Sequence, residues 1–136
     1  MADLLRMLDE WGEPEARRSE LRFIALVHDA QKNRVQSWRP KTGANHHAAR
    51  ARRLAERYTD DERLLAAIEQ HDRPYAVWRR RQRTGKDQTS QLEEMLARVP
   101  DPGLFLRFVE LDGSTEGKNP EPIRWLRAEL ERRGLV

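Results

Sequence analysis

The sequence predicts an all-α protein: a single domain over residues 1–136, built as a compact bundle of about six to eight helices. Apolar residues recur at steps of three and four along nearly the whole chain, as they do on one face of an α-helix. No stretch alternates apolar and polar residues for long enough to indicate a strand. A length of 136 residues suits one hydrophobic core and is too short for two comfortable domains.

Glycine, proline and polar residues separate the predicted helices from one another. Gly12 and Pro14 end the first short helix, because both residues disfavour continuation. Asn45 and the pair Thr59-Asp60 are suited to begin helices, since their side chains can accept hydrogen bonds from backbone N–H groups. In order, we expect helices at about 4–8, 21–32, 45–58 and 59–72, a stretch at 75–86 that could be helical and ends at Gly85, and helices at about 89–99, 104–112 and 123–130.

Charge and cysteine content narrow the classes of function. The chain has 26 basic and 23 acidic residues, and its only lysines are Lys32, Lys41, Lys86 and Lys118, so arginine carries most of the positive charge. Because cysteine is absent, the sequence excludes a disulfide scaffold, Cys-ligated zinc and thiol catalysis. No apolar run approaches the roughly 20 residues that span a bilayer, and no signal-peptide pattern opens the chain. We therefore expect a cytoplasmic protein without a membrane partner.

The pair His28-Asp29 closes an apolar run near the end of the second predicted helix. A buried carboxylate needs a compensating partner, and a metal ion is one such partner. The alternative is a core histidine beside an aspartate that hydrogen-bonds a helix end. The sequence of this pair alone leaves both interpretations open.

Three further candidate ligands, His47, His71 and Asp112, stand on the apolar faces of separate predicted helices. Helical phase favours His47 as the inward-facing residue and places His46 with exposed arginines. Each residue could be structural on its own, but five inward His and Asp side chains together predict an N/O-ligated metal centre. Such ligands suit Mn, Fe, Mg, Co, Ni or Zn better than thiophilic ions.

The run Leu26-Val27-His28-Asp29-Ala30-Gln31-Lys32, the later His47 and His71, and the segment 106–113 ending in Asp112-Gly113 resemble the HD superfamily of metal-dependent phosphohydrolases. The similarity is greatest to the HD domain of bacterial tRNA nucleotidyltransferases and extends from about Leu21 to Gly117. It implies an HD-like helical bundle with one or two divalent ions. It also implies that His28, Asp29 and Asp112 form the primary metal site with Asp29 bridging, and that His47 and His71 are the extra ligands of dinuclear members.

By this resemblance the protein is expected to hydrolyse a phosphomonoester or phosphodiester, such as a nucleotide, through metal-activated water. We expect Asp29, Lys32 and Asp72 to act in catalysis, with Asp72 as a candidate general base. Lys32, Arg73 and Lys118 are candidate phosphate-binding residues; the alternative for Arg73 and Lys118 is a solvated charge.

The family's leading histidine has no counterpart among the 27 residues before His28. A carboxylate from Asp3, Asp9 or Glu10 could replace it, water could fill the position, or the chain could be a degenerate member of the family.

A different class of function is suggested by arginines interleaved with aromatic residues. Basic side chains beside Tyr75 and Trp78 suit the phosphates and bases of RNA or single-stranded DNA, so a catalytically degenerate nucleic-acid-binding module is the rival hypothesis. The alternative is a solvated face whose charges pair with Glu56, Asp60, Asp61, Glu62 and Glu69. The arginines and lysine concerned are Arg73, Arg79, Arg80, Arg81, Arg83 and Lys86, with Arg50, Arg52, Arg53 and Arg57 on the third predicted helix.

Overall fold

The prediction of an all-α fold is confirmed by the computed structural model, which describes residues 2–30, 47–114 and 118–136, without the side chains of Ala2, Asp29 and His47. Within these ranges the chain forms eight helices and no strand. They are α1 (Ala2–Glu10), α2 (Glu15–Ala30), α3 (His47–Ala55), α4 (Glu62–Gln70), α5 (Arg73–Thr84), α6 (Thr89–Ala97), α7 (Pro102–Gly113) and α8 (Glu121–Arg132).

The helix ends follow local chemistry. Gly12 and Gly85 adopt left-handed φ angles of 67° and 68° after α1 and α5, a conformation that glycine reaches without a Cβ penalty. The cap of α4 is Asp61, whose carboxylate accepts from the Arg63 N–H, so the expected cap at Thr59-Asp60 is wrong by one residue. Thr59 instead accepts a hydrogen bond from the Asp61 N–H. The predicted cap at Asn45 lies outside the described residues.

Helix α7 is the centre of the core. Its residues Phe105 and Phe108 are fully buried, and burial on nearly all sides explains why its sequence is apolar around most of its circumference. One hydrophobic cluster extends from α7 to the other helices, with Tyr75 contributing for α5. Helical phase predicts that Leu21, Ile24, Ala25 and His28 form one stripe of α2, and all four residues are buried.

Helices α2, α4 and α7 contact one another, and ion pairs between their amino-terminal ends indicate that they run in the same direction. Their amino-terminal ends are joined by an ion network of Arg17, Glu20, Arg63 and Asp101. The Arg63 guanidinium lies 2.8 Å from Glu20 and 3.1 Å from Asp101, and Arg17 lies 3.4 Å from Asp101. Since one end of each helix is held in this network, the carboxyl ends of the three helices meet at the opposite end of the bundle.

Asp101 also caps α7 by accepting from the Leu104 N–H. Burial is the largest single influence on the Asp101 pKa and raises it, but the Leu104 hydrogen bond, the charge of Arg17 and the hydrogen bond from Arg63 outweigh burial and lower that pKa. An aspartate with a lowered folded-state pKa stabilises the fold above its unfolded pKa, and this contribution is lost as the pH falls through the folded pKa.

Replacement of Asp101 by asparagine is therefore expected to lower the free energy of unfolding by about 1 kcal/mol near neutral pH. Asparagine keeps the cap, so the loss reports the charge alone. The difference from the parent protein should be complete above about pH 3.9, the unfolded pKa of aspartate, and should shrink below it. Urea unfolding across this pH range measures the effect, with the exposed Asp60→Asn as the control. A difference that does not change with pH would contradict this prediction.

Two residues at α3 bear on the expectations from the sequence, Arg52 and Tyr58. Arg52 lies 2.9 Å from Glu62, 2.7 Å from Glu69 and 3.9 Å from Glu56, so this arginine joins α3 to α4 and pairs with three of the acids considered in the sequence. Helical phase predicts that Tyr58 shares the inward face of the third helix with His47, and this prediction is wrong: Tyr58 is 72 % exposed, because α3 ends at Ala55 and the phase does not continue. No helix in the described part of the chain is long and apolar enough to cross a bilayer.

Candidate metal centre

Three of the five predicted ligands meet inside the protein: His28, His71 and Asp112. We call them the His–His–Asp cluster. Each side chain offers one ligand atom, and these three atoms all lie within 4.8 Å of one another. The residues are 1 %, 1 % and 6 % exposed, respectively. Phase analysis of three separate helices therefore identified side chains that share one buried position.

The ring of Phe108 packs against both histidines of the cluster. The rings of His28 and His71 meet edge to face with centroids 4.2 Å apart. The Phe108 centroid lies 5.7 Å from that of His28 and 5.5 Å from that of His71. Because Phe108 stands one helical turn before Asp112 on the same face of α7, one helix supplies both the apolar packing and the carboxylate.

The cluster is formed at the carboxyl ends of the three parallel helices. His28 is in the last turn of α2, His71 follows the last residue of α4, and Asp112 is the penultimate residue of α7. The carboxyl end of a helix carries a partial negative charge, which favours a cation by about 0.3–1 kcal/mol per helix. Three such ends and a buried carboxylate together produce a site that favours positive charge.

A hydrogen bond fixes which nitrogen of His71 carries the proton. Nδ1 of His71 lies 2.7 Å from the carbonyl oxygen of Ile68. A carbonyl oxygen can only accept, so Nδ1 is the donor, and in the neutral ring the lone pair is on Nε2. Metal-binding histidines are commonly oriented by this type of hydrogen bond to the second nitrogen.

Asp112 is accompanied by a lysine. The Lys118 ammonium donates to the Asp112 backbone carbonyl at 3.0 Å and lies 3.5 Å from carboxylate Oδ2. Lys118 was expected to bind substrate phosphate, and the structure brings it to the cluster as a cation beside Asp112. Its charge offsets part of the cost of burying this carboxylate.

Tyr75 is the neighbour of the cluster that the sequence analysis did not identify. Its ring packs against the core, and its buried hydroxyl has no hydrogen-bond partner within the described residues. Burial, followed by the charge of Asp112, raises the pKa of Tyr75 to about 12, so the phenol keeps its proton near neutral pH. The interpretation of Tyr75 as a base-stacking surface residue is wrong, because α5 directs it inward. Helical phase carries no signal for this contact, because Tyr75 and Asp112 lie on different helices.

The donor set fits a divalent ion. Ligand atoms about 2.0–2.2 Å from one tetrahedral ion are about 3.3–3.6 Å from one another. The ligand atoms of the cluster lie within 4.8 Å of one another, so side-chain movement of about 1 Å brings them to that separation. Two imidazoles and one carboxylate match the predicted Mn, Fe, Mg, Co, Ni or Zn, and leave coordination positions for water or substrate.

The other predicted site residues are placed differently. Asp72 directly follows His71 and occupies the cap position of α5, outside the buried cluster. The Arg73 guanidinium lies 4.0 Å from Glu94 of α6. Asp29 is in the last turn of α2, and His47 begins α3. The structure does not describe the side chains of these two residues or any part of Lys32, so the roles expected of all three stay predictions.

The candidate replacements for the family's leading histidine lie on the surface of α1. Asp3 pairs with Arg6 at 3.3 Å, and Asp9 pairs with Arg22 at 3.1 Å. Glu10 is also exposed. None of the three belongs to the buried cluster found within the described residues.

Comparisons of the chain with protein-family models, with curated proteins and with solved structures give no match. The resemblance to the HD superfamily therefore stays a prediction. What the structure itself defines is an all-α protein with a buried His–His–Asp cluster at the carboxyl ends of three parallel helices.

Proposed function

We propose that this protein is a metal-dependent phosphohydrolase whose divalent ion is held by the His–His–Asp cluster and whose substrate is a nucleotide or a related phosphate ester. The observation that carries the proposal is the meeting of His28, His71 and Asp112 within 4.8 Å in the interior. When bound, a divalent ion lowers the pKa of coordinated water and neutralises charge on a phosphoryl group, which is the chemistry of phosphate-ester hydrolysis.

The chain's own residues then have separate roles. His71 offers Nε2 because its Nδ1 is held by Ile68, and Asp112 supplies the negative charge. Phe108 holds both imidazole rings and excludes water from their apolar side. Lys118, half-exposed beside Asp112, is available to attract a phosphate from solvent, and the Tyr75 hydroxyl is a neutral donor near the carboxylate.

The order of residues in the HD resemblance supports the same assignment. Asp29 follows His28 directly and is proposed as a bridging ligand, His47 as a ligand of a second ion, and Lys32 with Arg73 as further phosphate contacts. Asp72, next to His71, is proposed as the general base. A cytoplasmic location is part of the proposal.

The first test is metal binding by the full chain. After removal of metals with a chelator, calorimetric titration with Mn²⁺, Co²⁺, Zn²⁺ and Mg²⁺ is expected to show binding of one or two ions. Loss of a supporting residue near a metal commonly costs 10- to 100-fold in affinity, so loss of a ligand in Asp112→Asn should cost at least about 100-fold. Asp60→Asn, an exposed carboxylate, is the matched control and should bind as the parent does.

The second test is hydrolysis by the metal-loaded protein. Chromogenic phosphomonoester and phosphodiester substrates distinguish the two reaction types, and activity should fall with Asp112→Asn in parallel with metal content. The proposal fails if no divalent ion binds, or if Asp112→Asn leaves metal content and hydrolysis unchanged. Metal binding without hydrolysis of any phosphate ester would indicate the degenerate form of the fold.

A further inference from the structure

Helix α5 carries the densest positive charge in the described chain. The segment 73–86 contains six basic residues and no acidic one. Five of them are exposed, and we call four of these, Arg79, Arg80, Arg83 and Lys86, the α5 basic face. Arg81 is not included, because its charge acts on Asp87. Hydrogen bonds from Thr89 are the main cause of the lowered pKa of Asp87, and the charge of Arg81 lowers this pKa further.

Most other arginines of the described chain form ion pairs, and several of these pairs connect helices. Arg52 joins α3 to α4, Arg63 joins α4 to α2 and α7, and Arg127 of α8 binds Glu110 of α7 at 2.6 Å. Within the described residues no ion pair is formed by any member of the α5 basic face. Of the acidic residues, only Asp29 and Glu116 have side chains outside the description, so few acids remain that could pair with these four charges.

The geometry of α5 presents these charges together. At 100° per residue, Arg79 and Arg83 lie about 40° apart around α5, and Arg80 extends the arc to about 100°. Lys86 follows the left-handed Gly85, two residues after the end of α5, so it lies beyond the helical arc. Arg79 and Arg83 are separated by about 6 Å along the helix axis. The opposite side of α5 is fixed to the protein, since Pro74 and Val77 are buried and the helix packs on α8 and α6. A rigid helix thus holds a short row of cations toward solvent.

The chemistry of the row indicates its partner. Arginine offers a planar fork of N–H donors that matches phosphate oxygens, and a nucleic-acid strand carries phosphates at regular intervals. A membrane surface fits less well, because the exposed large apolar residues of the described chain, Leu26, Tyr58, Leu135 and Val136, are all outside α5. We propose that the α5 basic face binds the phosphate backbone of a nucleic acid.

Binding of this kind is expected to be independent of base sequence. Tyr75 packs against the core and Trp78 is half-buried, so neither offers a fully exposed ring on which a base could stack. The proposal also does not depend on the metal centre, since none of the four residues belongs to the His–His–Asp cluster.

The experiment is fluorescence anisotropy with a labelled 20-nucleotide oligo(U) and oligo(dT), at several salt concentrations and with a chelator present, so that the probes stay intact. The variant carries Arg79→Gln, Arg80→Gln and Arg83→Gln, changes that keep good helix formers at exposed positions. On a single strand, three phosphate contacts contribute about 2 to the magnitude of the slope of log K against log salt. The variant lacks these contacts, so its affinity for the oligonucleotides near 0.1 M salt should be on the order of 100-fold lower than that of the parent protein.

A matched control removes the same charge elsewhere. Arg6→Gln, Arg124→Gln and Arg132→Gln change three exposed helical arginines that pair with acids of their own helices. The control should keep affinity within about threefold of the parent protein and keep its salt slope. Circular dichroism confirms that both variants are folded.

Three results would overturn the proposal. The first is no oligonucleotide binding by the parent protein at low salt, and the second is an equal loss in the control variant. The third is that polyglutamate of equal charge competes as effectively as the unlabelled oligonucleotides. That result would indicate that the α5 basic face binds acidic proteins.

Discussion

Phe108→Ala is expected to lower the free energy of unfolding by about 3–5 kcal/mol, the usual cost of removing a buried phenylalanine ring from a core. Phe108 has no solvent exposure, and it packs in the helix that forms the centre of the hydrophobic cluster. Because domains of this size are stable by only about 5–15 kcal/mol, the loss is a large fraction of the total. Urea unfolding followed by tryptophan fluorescence measures it.

Phe105→Ala is the matched control for this prediction. Phe105 is also fully buried in α7, so its removal should cost a similar free energy of unfolding. In the described structure, however, Phe105 makes no ring contact with the histidines, whereas Phe108 contacts both. The ring-proton NMR signals of His28 and His71 should therefore shift strongly in Phe108→Ala and little in Phe105→Ala. A loss below about 1 kcal/mol, or equal shifts in both variants, would contradict the described packing.

Gly113→Ala is expected to destabilise the protein by about 1–3 kcal/mol, although alanine is ordinarily the better helix former. Gly113 is the last residue of α7, and a Cβ placed there overlaps Cδ1 of Ile123 and lies 2.5 Å from the hydroxyl of Tyr75. The end of the Ile123 side chain can rotate away, but the Tyr75 phenol is confined by the surrounding core. Thermal unfolding of the variant provides the measurement.

Two further variants distinguish crowding from a general effect of alanine. Gly103 lies in the same helix, and a Cβ there meets only Asp101 Oδ1 at 3.5 Å, an ordinary contact, so Gly103→Ala should be neutral or stabilising. Ile123→Val removes the atom that overlaps most, so combining it with Gly113→Ala should recover part of the lost stability. If Gly113→Ala is as stable as the parent, Gly113 is not crowded as described.

The helices could be predicted from sequence because their signals are local. Apolar residues at steps of three and four, with Gly12 and Gly85 at the breaks, determine both the number of helices and their order. The ends were less certain, since a cap depends on which of several neighbouring acceptors reaches the N–H groups; Asp61, not Thr59 or Asp60, does so for α4. The exposure of Tyr58 was missed for the same reason, because its predicted burial assumed that α3 continued beyond Ala55.

The cluster could be predicted to the extent that helical phase determines burial. His28, His71 and Asp112 each extend an apolar stripe, and all three are buried. Phase does not reveal which residues of different helices come together, so nothing in the sequence indicates that Tyr75 lies beside Asp112. The sequence also does not show that Arg52 forms ion pairs with α4 while the α5 basic face stays exposed, because ion pairing depends on distances in the folded protein.

The separation of the cluster residues along the chain has a thermodynamic consequence. His28, His71 and Asp112 are spaced 43 and 41 residues apart, so only folding brings their ligand atoms together. An ion that binds all three binds the native state and not the unfolded chain. By mass action such a ligand adds RT ln(1 + [L]/Kd) to the free energy of unfolding, about 2.7 kcal/mol at 100 times its Kd. The melting temperature of this protein would then measure the concentration of the free ion.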